Sequence, residues 1–363
     1  MKKLKRNLSE LFERGISFIR EIKKKDRLLV IHHKDVDGLV STTILLRLFK
    51  KISLNVSKII ASSNEEIEED IKKIKDFDKT IILDIDICYL KKQLTSLKKD
   101  ILLIDHHPPR SDLNSKRIVY INPRLEFPKV YQPASYVIYR FLSRIVDLED
   151  IEWLAALGTI GDFGFEDCED IVKKWIDVKK EDIKDKEELP KTTFWKNIKM
   201  LNAAITELGY NNTLYILKTV NSLGELIKNR KIENAYKGFN KKLEQIEQEF
   251  WENVRTIKEV NLVISEIESK HRALSSFFST EFAAKYPDKI IILMRRKIGK
   301  YAINARYQGK GIHLGKIMRK CTKGLNGGGG HPHAAGATIS AKNKNIFEER
   351  LIRELRRLSA KRS

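Results

Sequence analysis

Cysteine is scarce: Cys88, Cys168 and Cys321 are the three in 363 residues, odd in number and far apart. That excludes a disulfide framework and a Cys-x-x-Cys zinc site, and implies free thiols. Long apolar runs are missing too, none approaching the ~20 residues of a membrane span. The opening Met1-Lys2-Lys3-Leu4-Lys5-Arg6 leads into an amphipathic pattern, not a signal-peptide core. A cytoplasmic protein without a membrane span is therefore expected. Acidic residues are in deficit, with 49 Asp and Glu against 70 Lys and Arg, a formal charge of +21. A soluble metabolic enzyme gains little from such self-repulsion, so the charge points to a polyanionic partner, nucleic acid before any other. An anionic membrane surface or ribosomal RNA would also suit the charge taken alone.

What is present divides the chain. Leu4, Leu8, Leu11, Phe12, Ile19 and Ile22 recur at steps near three and four, predicting an N-terminal amphipathic helix over 1–26. From 27 to 165 short apolar runs (Leu28 to Ile31, Val56 to Ala61, Ile81 to Leu83, Ile101 to Ile104, Ile118 to Ile121) alternate with helical stretches such as Leu39 to Phe49 and Glu65 to Lys75. Continuous apolar runs between helices read as buried parallel strands, hence an α/β fold with a doubly wound parallel sheet. Residues 166–259 read as a helical connector or insertion, opening on the mixed-charge stretch Glu166 to Pro190. It closes on a seam of Leu243, Ile246, Phe250, Val254 and Ile257 that suits either an intramolecular connector or a dimer coiled coil. A smaller C-terminal α/β domain is expected over 260–363. It has strands near Asn261 to Ile264, Lys289 to Met294 and an alternating Tyr301 to Tyr307, then a final helix with the stripe Phe347, Leu351, Leu355, Leu358 and an arginine face.

The chemistry-bearing residues follow the apolar runs. Leu103-Ile104 is succeeded by Asp105-His106-His107-Pro108-Pro109, Leu28 to Ile31 by His32-His33-Lys34-Asp35-Val36-Asp37-Gly38, and Ile81 to Leu83 by Asp84 and Asp86; Asp162 ends Gly158-Thr159-Ile160-Gly161. Each acidic residue alone reads as a helix cap or turn residue. Four such segments together read as one site at the carboxyl ends of parallel strands. In an extended segment His33, Asp35 and Asp37 would face one way and converge. Asp84 is the natural bridge between two ions, with Asp86 as support behind it. Oxygen and imidazole donors without thiolate favour manganese or magnesium, with zinc or cobalt compatible; two divalent ions, Mn2+ first, are expected.

These segments resemble the DHH phosphoesterase superfamily, and Gly327-Gly328-Gly329-Gly330-His331-Pro332-His333-Ala334-Ala335-Gly336 resembles its DHH-associated domain. Within it the chain looks most like archaeal RecJ-like exonucleases, which include replisome- and Hef-associated nucleases. The resemblance implies that His33, Asp35 and Asp84 hold one ion and that Asp37, Asp84, His106 and Asp162 hold the other. By the same resemblance Asp105 orients ligands from behind and His107 faces the phosphate; His32 remains an alternative to His33. Asn122-Pro123 also resembles a family segment.

Gly328, Gly329 and Gly330 would let backbone amides approach a phosphate, with His331 adding a donor, Arg306 a second contact and Tyr307 a surface for base stacking. A plain flexible turn is the bland alternative. Lys310, Lys316, Arg319, Lys320 and Lys323 make the approach basic. A cleft between two domains would admit a flexible strand more readily than a duplex. The expectation is a single-strand exonuclease acting on DNA or RNA in replication or repair, with helicase or replisome partners and self-association left open. A phosphodiesterase of short oligonucleotides or cyclic dinucleotides is the nearest alternative, and a non-catalytic replisome scaffold is one of another class.

Overall fold

The apolar runs of the N-terminal half become five short strands: β1 (Leu28–His33), β2 (Lys58–Ser62), β3 (Lys79–Leu83), β4 (Asp100–Ile104) and β5 (Ile118–Ile121). They form an all-parallel sheet in the order β2-β1-β3-β4-β5 in a computed structural model that describes residues 7–177, 180–181, 183–268 and 272–360. β-Branched and leucine side chains on both faces of β1, β3 and β4 are buried, which is why these strands show no polar alternation.

Register matters more than strand count. His32 lies opposite Leu83, Leu83 opposite Ile104, and Ile104 opposite Ile121. The residues one step beyond this line are therefore neighbours: His33, Asp84, Asp105 and Asn122. The strand order reverses between β1 and β3, where a sheet of this topology opens a crevice at its carboxyl edge.

Helices cover both faces. The helix Val36–Lys51 is buried along most of its length and packs against the helices Ala134–Leu142 and Glu152–Gly161. The N-terminal helix runs over Leu8–Arg20, is capped by the Asn7 side chain, and packs Leu11, Phe12, Ile16 and Ile19 inward near β5. Leu4, expected on the same stripe, lies outside the described residues.

The stretch 166–259, read as a helical connector or insertion, is shared between two compact units. Helices Glu169–Trp175, Trp195–Leu208 and Tyr210–Thr219 lay Ile171, Val172, Ile198, Leu201, Leu214 and Leu217 against the helices Val36–Lys51 and Glu152–Gly161. They belong to a first compact unit, Met1–Tyr236, and a second spans Lys237–Ser363. The seam read from Leu243 onward is satisfied within the second unit: Phe239 and Phe250 of the helix Arg230–Glu252 meet Phe277, Phe278 and Phe282 of the helix Arg272–Lys285.

The second unit holds a mixed six-stranded sheet, β10-β11-β9-β8-β7-β6. Its strands are β6 (Arg255–Ile257), β7 (Leu262–Ile267), β8 (Ile290–Lys297), β9 (Lys300–Arg306), β10 (Gly328–Gly330) and β11 (Ala334–Ser340). Only β7 and β8 run parallel, joined through the helix Arg272–Lys285. Along β9 burial alternates as the sequence pattern requires, with Tyr301, Ile303 and Ala305 inward. Leu314, Ile317 and Met318 from the helix Leu314–Cys321, and Phe347, Leu351 and Leu355 from the helix Lys344–Ser359, complete this core. Tyr307 packs against the same core rather than standing free for a base. The cysteines are free and buried, and no described helix is long and apolar enough to cross a membrane.

Candidate metal centre

At the end of β1 the chain turns straight into a helix. Asp35 is its N-cap, in an extended conformation, and its Oδ1 accepts the Gly38 N–H at 2.9 Å. A side chain at Gly38 would come within 2.5 Å of the His33 carbonyl, so the tight turn demands glycine there. The expected extended segment that would align His33, Asp35 and Asp37 is thus corrected: Asp37 sits in the first helical turn. Its two carboxylate oxygens accept the N–H groups of Ala134 and Ser135 at 2.7 and 2.9 Å, tying two helices together.

The structure nonetheless gathers the predicted residues. His33, Asp35 and Asp84 form one group able to hold a metal ion; Asp37, His106 and Asp162 form a second; Asp84, His106 and His107 form a third. Asp84 and His106 are the shared members. His106 Nε2 lies 3.3 Å from Asp84 Oδ1 and 3.5 Å from Asp162 Oδ2, and His33 Nδ1 contacts Asp35 Oδ2 and lies 4.0 Å from Asp84 Oδ2. His32 turns away: it is buried, its Nδ1 meets the His33 carbonyl at 2.8 Å, and burial pushes it down to about 4. Of the tandem histidines, His33 is the one in the cluster.

Asp162 arrives differently from the other carboxylates. It caps the C-terminus of the helix Glu152–Gly161 and does not end a strand, which corrects the sequence expectation. The Tyr131 hydroxyl donates to its Oδ2 at 2.8 Å. Asp86, expected to brace the cluster, instead accepts the Cys88 N–H and lies 3.5 Å from Arg110.

Electrostatically the cluster is strained. Asp84 adopts φ 64°, is buried, and neither of its oxygens accepts a hydrogen bond. Burial, then the charges of Asp35, Asp37 and Asp162, hold its pKa well above the ordinary value. Burial and Asp162 do the same for Asp37, and burial with Asp35 raises Asp162 to about 6. Burial drives His106 down to about 3, leaving a neutral imidazole with a free lone pair. Orphaned anionic oxygens and a neutral imidazole, crowded together without a cation, are the donor set that a hard divalent ion satisfies.

Behind this cluster His107 Nδ1 donates to Asp105 Oδ1 at 2.7 Å. Burial alone would lower the imidazole, but the Asp105 carboxylate outweighs it and raises His107 to about 9. Tyr120 donates to the other Asp105 oxygen at 3.3 Å. Asn122 holds the pair, donating to Tyr120 Oη at 2.8 Å and to the His107 carbonyl at 2.9 Å. Asn122 thereby acquires the positioning role that its motif left undefined.

The residues expected to touch substrate lie in the second unit. The glycine run is not a free loop: Gly328–Gly330 is the edge strand β10, paired antiparallel with β11. Gly330 adopts φ 137°, and a Cβ there would meet the Ala334 carbonyl at 2.5 Å. The turn beyond it presents an exposed His331 and is pinned by the N–H groups of Leu314 and Gly315, which donate to the carbonyls of Pro332 and His331. Gly329, by contrast, faces open space edged by the Arg319 guanidinium. Arg306 donates to Thr280 Oγ1 at 3.2 Å, Ser276 Oγ at 3.1 Å and its neighbour's carbonyl, all neutral acceptors, while burial lowers it to about 10. On the C-terminal helix the arginine face is partly engaged by protein: Arg350 on the carbonyls of Cys321 and Lys323, Arg356 on Glu259, Arg357 on Glu354.

Sequence reasoning missed Tyr131 and Arg124, both beside the cluster: Tyr131 sits in an irregular segment, and Arg124 in the short 3-10 helix Pro123–Leu125, just after Asn122-Pro123, where no periodicity marks it.

Residues 27–159 match the DHH family N-terminal domain, and residues 259–357 match the DHHA1 domain. Among solved structures, RecJ in complex with Mn2+ from Thermus thermophilus is 18% identical, with 98% of this chain and 57% of that chain covered at a TM-score of 0.71. Exonuclease RecJ bound to manganese is also 18% identical, covering 95% and 94% of the two chains at 0.65. The DHH domain of a member of a ribosomal-protein family is 16% identical, covering 97% and 93% at 0.72. These similarities establish a shared fold, and the chain spans little more than half the length of the Thermus protein. No curated protein matches this chain.

Proposed function

As the chain belongs to the DHH superfamily and carries both its DHH and DHHA1 domains, we propose that it is a metal-dependent exonuclease of single-stranded DNA or RNA, working in replication or repair. The observation that carries the chemistry is Asp84: a buried carboxylate without a hydrogen bond, flanked by His33 and Asp35 on one side and His106 on the other. His33, Asp35 and Asp84 are suited to one divalent ion, and Asp37, Asp84, His106 and Asp162 to a second, manganese before magnesium or cobalt. When bound, such ions supply a water activated at neutral pH and relief of charge on the scissile phosphate. His107, kept protonated by Asp105, donates a hydrogen bond to a phosphate oxygen. Asp105, Tyr120 and Asn122 fix that donor's orientation.

Polymer preference rests on charge. A surplus of +21 gains affinity with each added phosphate, whereas a dinucleotide does not use it. Arg306, with its charge met only by neutral acceptors, and the edge strand Gly328, Gly329 and Gly330, open at Gly329 and followed by His331, are the proposed strand contacts in the second unit.

The test is digestion of single-stranded DNA and RNA, labelled at one end and blocked at the other, with manganese. A ladder confined to one free end, lost in Asp84→Ala, supports an exonuclease and reports its polarity. Faster hydrolysis of a dinucleotide than of a 20-mer, indifferent to salt, would replace this reading with an oligonucleotide phosphodiesterase. Retention of every phenotype by Asp84→Ala would point to a scaffold.

A further inference from the structure

Two cations beside the metal cluster, Arg124 and Lys186, have no carboxylate partner among the described residues. Arg124 follows Asn122 and Pro123 at the carboxyl edge of the sheet, half-buried, and its Nε is buried without a hydrogen bond. Its guanidinium lies over the Tyr131 ring at 5.4 Å, and the Lys186 ammonium lies over the same ring at 4.5 Å. Among the described residues no carboxylate oxygen comes within ion-pair distance of either. Tyr131 links them to the cluster, since its hydroxyl donates to Asp162 and its ring meets the His106 ring edge-on at 5.4 Å.

A half-buried guanidinium with an unused N–H is costly unless something anionic completes it. The nearby carboxylates do not do so: burial lowers its pKa, and the charges of Asp105, Asp167 and Asp162 oppose that only in part. We propose that Arg124 and Lys186, seated on Tyr131, bind the phosphate adjacent to the scissile one on the nucleic-acid strand. The scissile phosphate belongs over the ligand groups, within reach of His107. Arg124 and Lys186 stand one aromatic side chain further out, where the next phosphate of a strand emerges. A planar guanidinium suits a phosphate's two oxygens, and the lysine adds a mobile charge. The aromatic ring between them holds both heads in place without neutralising them.

This inference rests on the nuclease reading, and substrate size separates the two. A trinucleotide carries a neighbouring phosphate; bis(p-nitrophenyl) phosphate has only the scissile one. In manganese, Arg124→Ala should lower kcat/KM for the trinucleotide about tenfold to a hundredfold, mainly through KM. The loss on bis(p-nitrophenyl) phosphate should be at least about fivefold smaller. Arg124→Lys should recover part of the trinucleotide loss. Lys186→Ala, a change outside the core, should show the same selectivity at smaller size. Fluorescence anisotropy of a labelled trinucleotide in EDTA reads the contact without turnover, and Arg124→Ala should weaken that binding too. Equal losses on both substrates, or trinucleotide binding that is the same with and without Arg124, would overturn the proposal. Failure of the unaltered protein to cleave any diester, with Arg124-dependent trinucleotide binding intact, would overturn the nuclease reading instead.

Discussion

Replacing Asp84 with asparagine should move stability and activity in opposite directions. The carboxylate is buried, accepts no hydrogen bond, and is pressed by the charges of Asp35, Asp37 and Asp162. Asparagine keeps the shape, removes the charge, supplies an N–H to neighbouring carboxylates, and tolerates the left-handed backbone at φ 64° better than most residues. Folding with Asp84 costs free energy whether the group is buried as an anion or protonated to avoid that, and removing this cost gains ~1–3 kcal/mol. For a unit of this size that raises the melting temperature of the metal-free protein by about 2–12 °C. Manganese at about a hundred times its dissociation constant should stabilise the unaltered protein by ~2.7 kcal/mol. The variant should gain little from it and lose turnover by at least ~100-fold, the scale reached when even groups behind a metal ligand are removed. Paired calorimetric scans in EDTA and in manganese, with a diester assay, read all three quantities. A variant that melts below the unaltered protein in EDTA, or gains equally from manganese, would refute the claim that Asp84 is an ion-binding carboxylate held under strain.

Three further outcomes follow from the same geometry. The raised carboxylates make the metal-free fold pH-sensitive: a group whose folded pKa is lifted contributes stability below its unfolded value near 3.8 and loses it as pH rises through the folded value, so for Asp162 the loss runs up to about pH 6. Melts in EDTA should fall across that window, and the slope should flatten in Asp162→Asn. His107→Gln should lower kcat by ~100-fold or more, and the alkaline decline of the unaltered enzyme near pH 9, where the imidazole loses its proton, should vanish with it in a pH–rate profile. In the second unit Gly330→Ala should destabilise by ~1–3 kcal/mol because its φ of 137° and the Ala334 carbonyl leave no room for a methyl, whereas Gly329→Ala should melt unchanged.

Much of the site was legible because it hangs on buried parallel strands. Where an apolar run is continuous, as in Ile81 to Leu83 or Ile101 to Ile104, its end is visible, and a register aligning Leu83 with Ile104 makes the next residues, Asp84 and Asp105, neighbours without further information. The helical contributors were harder. Asp37 stands two residues after Asp35, and that spacing suggested strand alternation. Yet the apolar pattern after Val36 has helical period, and Asp35 three residues before Gly38 is an N-cap signature. The conformation of the glycine run was not legible, since glycine is depleted in strands and only the pairing of Gly328–Gly330 with the small residues of β11 makes an edge strand of it.

Asp162 poses the deeper question of why a carboxylate should close a helix at all. The C-terminus of a helix carries partial negative charge, so an acidic residue there is disfavoured by ~0.3–1 kcal/mol before its neighbours count. Here it also faces Asp35 and Asp37, and Tyr131 offers a single hydrogen bond in return. A capping asparagine or glycine would relieve all of this. A cation joining the cluster, as proposed above, would offset these unfavourable contacts together. The helix end then becomes a source of negative potential that strengthens ion binding. Asp35 stands at the opposite, amide-rich end of its own helix: against the effect of burial, the His33 imidazole and the Gly38 N–H hold it below the ordinary carboxylate range. One carboxylate held below the ordinary range and three held above it, Asp37, Asp84 and, at about 6, Asp162, describe a centre that a divalent ion would complete.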